Sequence, residues 1–81
     1  MALLQAKFIS NIWLQETPTG VVDGVNDEFT LSTAPAYNSS LQVFLNGLIQ
    51  RQGTDYTISG TTITFTTAPS LGQRVYAIFI G

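Results

Sequence analysis

Eighty-one residues carry three basic and five acidic side chains, with no cysteine and no histidine. That length holds one domain, and the composition removes disulfides, thiolate zinc sites and the commonest general base. A chain this small is expected to gain support by oligomerising or by docking onto something larger.

Charged residues make up 10% of the chain, against roughly 25% in an average soluble domain. The longest apolar stretch, Val75-Tyr76-Ala77-Ile78-Phe79-Ile80, falls far short of the ~20 residues that span a bilayer. No membrane partner is expected, and the opening residues do not read as a secretory signal. Uncharged polar residues replace the missing charge, threonine above all, which suits a half-buried pleated surface. A surface poor in charge is cheaply desolvated, so permanent assembly is expected; a plain threonine-rich β surface is the simpler alternative. The net charge is −2, and the cations Lys7, Arg51 and Arg74 are scattered. Nucleic acid is therefore not an expected partner, because phosphate binding needs a clustered basic face.

In chain order, residues 1–15 (MALLQAKFISNIWLQ) form an apolar opening with Lys7. Leu4, Phe8 and Ile12 fit helical spacing, while Phe8, Ile12 and Leu14 also share one face of a strand. An extended arm or first strand is expected, with a short helix as the alternative, ahead of a single β domain over residues 16–81. Thr17-Pro18-Thr19-Gly20 reads as a turn. Asp23-Gly24-Val25-Asn26-Asp27-Glu28 reads as a second. Its carboxylates invite a cation site, but the spacing does not match an EF-hand loop, and an Asx turn is the expected use of Asp23. Phe29-Thr30-Leu31-Ser32 alternates as a strand and stops at Thr33-Ala34-Pro35. Residues 41–45 form the next strand. Asn46-Gly47 then predicts a tight hairpin into Leu48-Ile49-Gln50. Tyr56-Thr57-Ile58 and residues 62–66 flank a turn at Ser59-Gly60. Thr67-Ala68-Pro69 ends the second of these strands, and residues 73–80 form the last strand. Asp55, just before Tyr56, is expected to cap a turn after Gly53.

Phe29-Thr30-Leu31-Ser32-Thr33-Ala34-Pro35 repeats as Ile63-Thr64-Phe65-Thr66-Thr67-Ala68-Pro69, an offset of 34 residues (63 minus 29). Without a gap, the same offset pairs Leu41 with Val75, Val43 with Ala77, Leu45 with Phe79 and Gly47 with Gly81. Two strand–loop–strand units packed about a pseudo-twofold axis are expected. The result is an all-β fold, a small antiparallel β-sandwich or barrel with an N-terminal arm. The expected core is Phe29, Leu31, Leu41, Val43, Leu45, Ile58, Ile63, Phe65, Val75, Ala77 and Phe79. The last strand is apolar on both faces, so its second face needs a cover. That cover is either another subunit or the arm itself. The expected interface is Leu4, Phe8, Ile12 and Trp13 of the arm with Tyr76, Ile78 and Ile80.

No catalytic, cofactor or metal site is expected. Glu16, Asp23, Asp27, Glu28 and Asp55 do not form a paired-carboxylate pattern, and no phosphate loop or nucleophile elbow is present. Tyr37, Phe44, Tyr56 and Tyr76 are aromatics that can stack on sugar or peptide, or simply pack.

Residues 17–31, Val43-Phe44-Leu45-Asn46-Gly47-Leu48-Ile49-Gln50, Asp55-Tyr56-Thr57-Ile58-Ser59-Gly60 and residues 63–69 occur in an order that resembles a module of tailed-bacteriophage virion proteins. The resemblance spans residues 16–80. It implies a small β-sandwich of the kind found in head-decoration, neck, tail-fibre and baseplate proteins, present in many copies and without enzymatic activity. Because the module fills nearly the whole chain, a capsid decoration (cement) protein or a small neck or tail component is the leading expectation. Such a protein would self-associate as a dimer or trimer, dock on a major capsid or tail/neck protein, and reside in the virion after assembly in the host cytoplasm. The alternative is a glycan- or receptor-binding adhesin module of a tail fibre or baseplate, using Tyr37, Tyr56 and the loops.

Overall fold

In a computed structural model, which describes residues 12–81, the chain forms two antiparallel sheets packed face to face. Sheet A has the order β1-β7-β3-β4, with β1 at Trp13–Glu16, β3 at Gln42–Leu45, β4 at Leu48–Ile49 and β7 at Val75–Ile80. Sheet B has the order β2-β6-β5, with β2 at Glu28–Thr30, β5 at Tyr56–Ser59 and β6 at Thr62–Phe65. A 3-10 turn, Asn38–Ser40, leads into β3. The expected small β-sandwich is therefore the observed fold.

Period-2 alternation explains which residues enter the core. Strand β7 turns Val75, Ala77 and Phe79 inward, and β3 turns Val43 inward with Leu45 partly covered. From sheet B come Phe29, Ile63 and Phe65, joined by Leu31 and Leu41. The rings of Phe29 and Phe65 meet edge to face, with centroids 5.6 Å apart. Each fully buried side chain of this size contributes about 1.5–3 kcal/mol. Tyr56 also belongs to this core, at 1% exposure, although the sequence pattern does not place it there. Its hydroxyl donates to the Leu41 carbonyl at 3.3 Å, so the phenol enters the interior with its polar tip paired. Burial pushes its pKa above the usual phenol range. Ile58 and Leu45, both expected inside, pack against the core while partly covered.

The internal repeat is a pseudo-twofold axis in space. Strands β2 and β6 are neighbours, with Phe29 opposite Ile63. Strands β3 and β7 are neighbours in the other sheet, with Val43 opposite Ala77. Each pair joins a residue to its own repeat equivalent, so one axis runs through the centre of both sheets. The hydrogen bonds obey it: Leu31 N–H donates to the Thr61 carbonyl and Phe65 N–H to the Asp27 carbonyl, each at 2.8 Å. Departures lie at the edges. Strand β1 flanks β7 where the two-residue β4 flanks β3, and β5 flanks β6 where only a Thr19–Thr30 bridge flanks β2.

The turns follow their residues. Asn46 (φ 55°) and Gly47 (φ 85°) both sit in the left-handed region between Leu45 and Leu48, as a type I′ hairpin requires. Gly20 serves a different need: a Cβ there would lie 2.8 Å from Phe29 Cε2, so the chain can cross the edge of the buried ring only as glycine.

Candidate functional site

The outward positions of sheet A form an apolar face. Strand β1 turns Trp13 and Gln15 outward, β7 turns Tyr76, Ile78 and Ile80, and β3 turns Gln42 and Phe44. Pairing register places them in rows: Trp13 beside Ile80; Gln15, Ile78 and Gln42 in line; then Tyr76, Phe44 and Ile49. None of these side chains is charged. Trp13 is 57% exposed, Ile49 63% and Tyr76 36%. The Tyr76 hydroxyl donates a hydrogen bond to Gln15 Oε1, which holds the ring in place across two strands. Opposed residues on a sheet face stand close enough to act as one surface.

At the Tyr76–Phe44 end the face dips into a groove of about 610 Å³, lined by Thr17, Phe44, Gly47, Arg74, Val75, Tyr76 and Ile78. Among the described residues, Arg74 is the only charged one lining the groove. Its carbonyl accepts the Asn46 N–H at 2.7 Å, which ties the start of β7 to the β3–β4 hairpin. A second cleft, about 330 Å³, lies near Thr54, Asp55, Thr66 and Gln73. Asp55 and Thr66 there are already used within the chain. The Asp55 carboxylate accepts the Arg51 N–H at 2.8 Å, closing the turn around Gly53, and Thr66 Oγ1 donates to the Thr54 carbonyl at 2.7 Å. The groove on sheet A is the better site, because aromatic faces and one cation stand there together.

The expected interface residues fall into three groups. Trp13, Tyr76, Ile78 and Ile80 share the outer face of sheet A. Ile12 lies just before β1, 48% exposed, and its carbonyl accepts the Gly81 N–H at 3.0 Å. Leu4 and Phe8 lie outside the described residues. Reasoning from sequence does not place Phe44, Gln15, Gln42 or Arg74 with them. Alternation alone sends Phe44 away from Val43 and Leu45, but only the β3–β7 register puts it beside Tyr76. Among the aromatics considered for sugar binding, Tyr56 is excluded by burial and Tyr37 is exposed at 57%.

Two polar side chains of the acidic loop, Asp23 and Asn26, are satisfied within it and by its flanks. Asp23 Oδ1 accepts the N–H groups of Val25 (2.9 Å) and Asn26 (2.8 Å), the expected Asx turn. These donors, Asn26 first and then Val25, hold the Asp23 carboxyl below its usual pKa. Asn26 Nδ2 donates to the carbonyls of Val21 and Glu28. Glu16 is likewise engaged, accepting from the N–H and hydroxyl of Ser32 at 3.0 and 2.7 Å. Among the described residues no group of three potential metal ligands gathers.

No protein-family model matches the chain. The chain is similar to a capsule K1-specific depolymerase from Klebsiella phage K64-1, with 51% identity over 43 residues. That stretch is 53% of this chain and 5% of the phage protein, so the chain spans a small fraction of the relative's length. The match corrects the expectation of a non-enzyme. The similar protein is by name an enzyme, and histidine and cysteine missing from 81 residues do not keep a module out of an enzymatic protein whose other residues can carry the chemistry. The likeness supports a phage protein and gives no support to a head-decoration or neck position.

Proposed function

We propose that this chain is a glycan- or receptor-binding module of a phage tail-fibre or baseplate protein, which presents the outer face of sheet A to a bacterial surface polysaccharide. The observation that carries the reading is the uncharged aromatic face, Trp13, Phe44 and Tyr76 with Gln15 and Gln42 between them. Flat aromatic rings contact the C–H faces of sugars, and neighbouring amides supply donors and acceptors for hydroxyls. The likeness to a phage protein named for a capsule type supports the same direction. Fluorescently labelled chain added to capsulated cells and to capsule-free cells of the same strain tests it. Retention on capsulated cells, lost in Tyr76→Ala and Phe44→Ala, is the expected result; equal retention on both cell types overturns it.

One observation favours a second reading. A sheet face without charge is also suited to protein contact, so the chain can self-associate as a dimer or trimer and dock on another virion protein through Trp13, Tyr76, Ile78 and Ile80. Sedimentation over a wide concentration range separates the two, since this reading requires a concentration-dependent oligomer. In both, the protein resides in the virion.

A further inference from the structure

We infer that the groove between Phe44, Tyr76 and Arg74 is a subsite for an acidic sugar, a uronate or similarly carboxylated residue within a polysaccharide. The inference rests on the attachment reading above and names its ligand class. Three features carry it. The groove, about 610 Å³, has room for a sugar residue. One wall is aromatic, and the Tyr76 ring is fixed by its hydrogen bond to Gln15, so little ordering is needed on binding. Among the described residues, the rim carries Arg74 and no other charged residue. The carboxylate that precedes the lining residue Thr17, Glu16, is occupied by Ser32, and Asp23 and Asp55 are held by backbone N–H groups in their own loops. Arg74 thus supplies the groove with a cation in a protein whose net charge is −2. A guanidinium fork matches a carboxylate in geometry as well as charge. The sugar ring lies on Tyr76 and Phe44, and its carboxylate reaches the Arg74 end.

The test is a nitrogen-15 NMR titration of the full chain with a panel of uronate-containing oligosaccharides and the same oligosaccharides after carboxyl reduction. Wild-type protein and Arg74→Gln are compared. Arg74 is exposed, and unchanged resonances elsewhere verify that the variant is folded. At least one acidic member is expected to shift Phe44, Tyr76 and Arg74, and its reduced counterpart to bind about tenfold more weakly. Arg74→Gln is expected to lose about the same factor for the acidic sugar and to cease discriminating between the two forms, as a coupled pair requires. Equal binding of acidic and reduced sugars at this groove overturns the acidic subsite and leaves the attachment reading standing. Binding by no member of either set removes both. Shifts of the same residues with protein concentration alone assign the face to a second copy and overturn the inference.

Discussion

Sheet B turns Glu28, Thr30, Thr57, Ser59, Thr62 and Thr64 outward, while sheet A turns out Trp13, Gln15, Gln42, Phe44, Tyr76, Ile78 and Ile80. Both outer faces obey the same period, and both sheets lend their inner faces to one core. Threonine satisfies β propensity through its branched Cβ while its hydroxyl stays hydrated, so sheet B needs no cover. Sheet A uses aromatic and aliphatic residues in the equivalent positions, although its inner face alone supplies Val43, Val75, Ala77 and Phe79 to the core. Folding asks only for a pleated strand there. The excess of apolar area on one side distinguishes sheet A as the face suited to contact.

Opening the shared core breaks the contrast most severely, because both faces depend on it. Phe65→Ala removes a ring that is 2% exposed and packed against Phe29 and Tyr56. The expected loss is about 3–5 kcal/mol, a large part of the roughly 5–15 kcal/mol that holds a typical domain together. Urea unfolding monitored by Trp13 fluorescence should show an early midpoint or no folded baseline. A loss below about 1 kcal/mol would mean that the two sheets do not share this core.

Transplanting the chemistry of sheet B onto sheet A sharpens the contrast. The double variant Tyr76→Thr, Ile78→Thr keeps two β-formers on β7 and replaces the apolar face with hydroxyls. Its unfolding free energy should change by about 1 kcal/mol or less, since the positions face outward and Thr retains strand propensity. Retention on capsulated cells should nevertheless disappear. A large loss of stability with retention intact would assign Tyr76 and Ile78 to the fold and leave the face without a partner.

The contrast also separates what is legible in the sequence from what is not. The Asn46-Gly47 hairpin, the alternation in β7 and the 34-residue repeat (63 minus 29) rest on local grammar, and they reappear in the structure with their registers. Strand ends are less legible, because side chains remote from the strand decide them. The last strand, expected from Gln73, begins at Val75. Gln73 instead closes a turn with Ser70, accepting its N–H on Oε1 at 2.7 Å, and Gly72 adopts φ 90°. The strand expected through Ser32 ends at Thr30, and the Ser32 N–H goes to Glu16, sixteen positions away. Tyr56 reads as an aromatic that can stack on a ligand or pack, and the Leu41 carbonyl that accepts from its hydroxyl decides for packing. The groove depends on cross-strand register and on Arg74 meeting the β3–β4 hairpin, and neither is encoded locally. The activity of a longer relative is further still from view, because the composition of 81 residues describes only those residues.

The smallest expected effect lies away from both faces, in the loop that leads into β2. The carboxyl of Asp23 is stabilised in its ionised form by the N–H groups of Asn26 and Val25. Its folded pKa is therefore below the ordinary value of 3.8. By linkage, its contribution to stability is fully present above that value and is lost as pH falls through the lower folded pKa. Asp23→Asn keeps an Oδ1 acceptor for both donors but cannot titrate. At neutral pH the variant should be slightly less stable, through loss of the charge-assisted bonds. As pH falls below 3.8 the urea midpoints of wild type and variant should converge, because a protonated carboxyl and a carboxamide are both neutral and offer the same carbonyl acceptor. A gap that stays constant from neutral pH into the acid range would show that the Asx turn owes nothing to the ionised carboxylate.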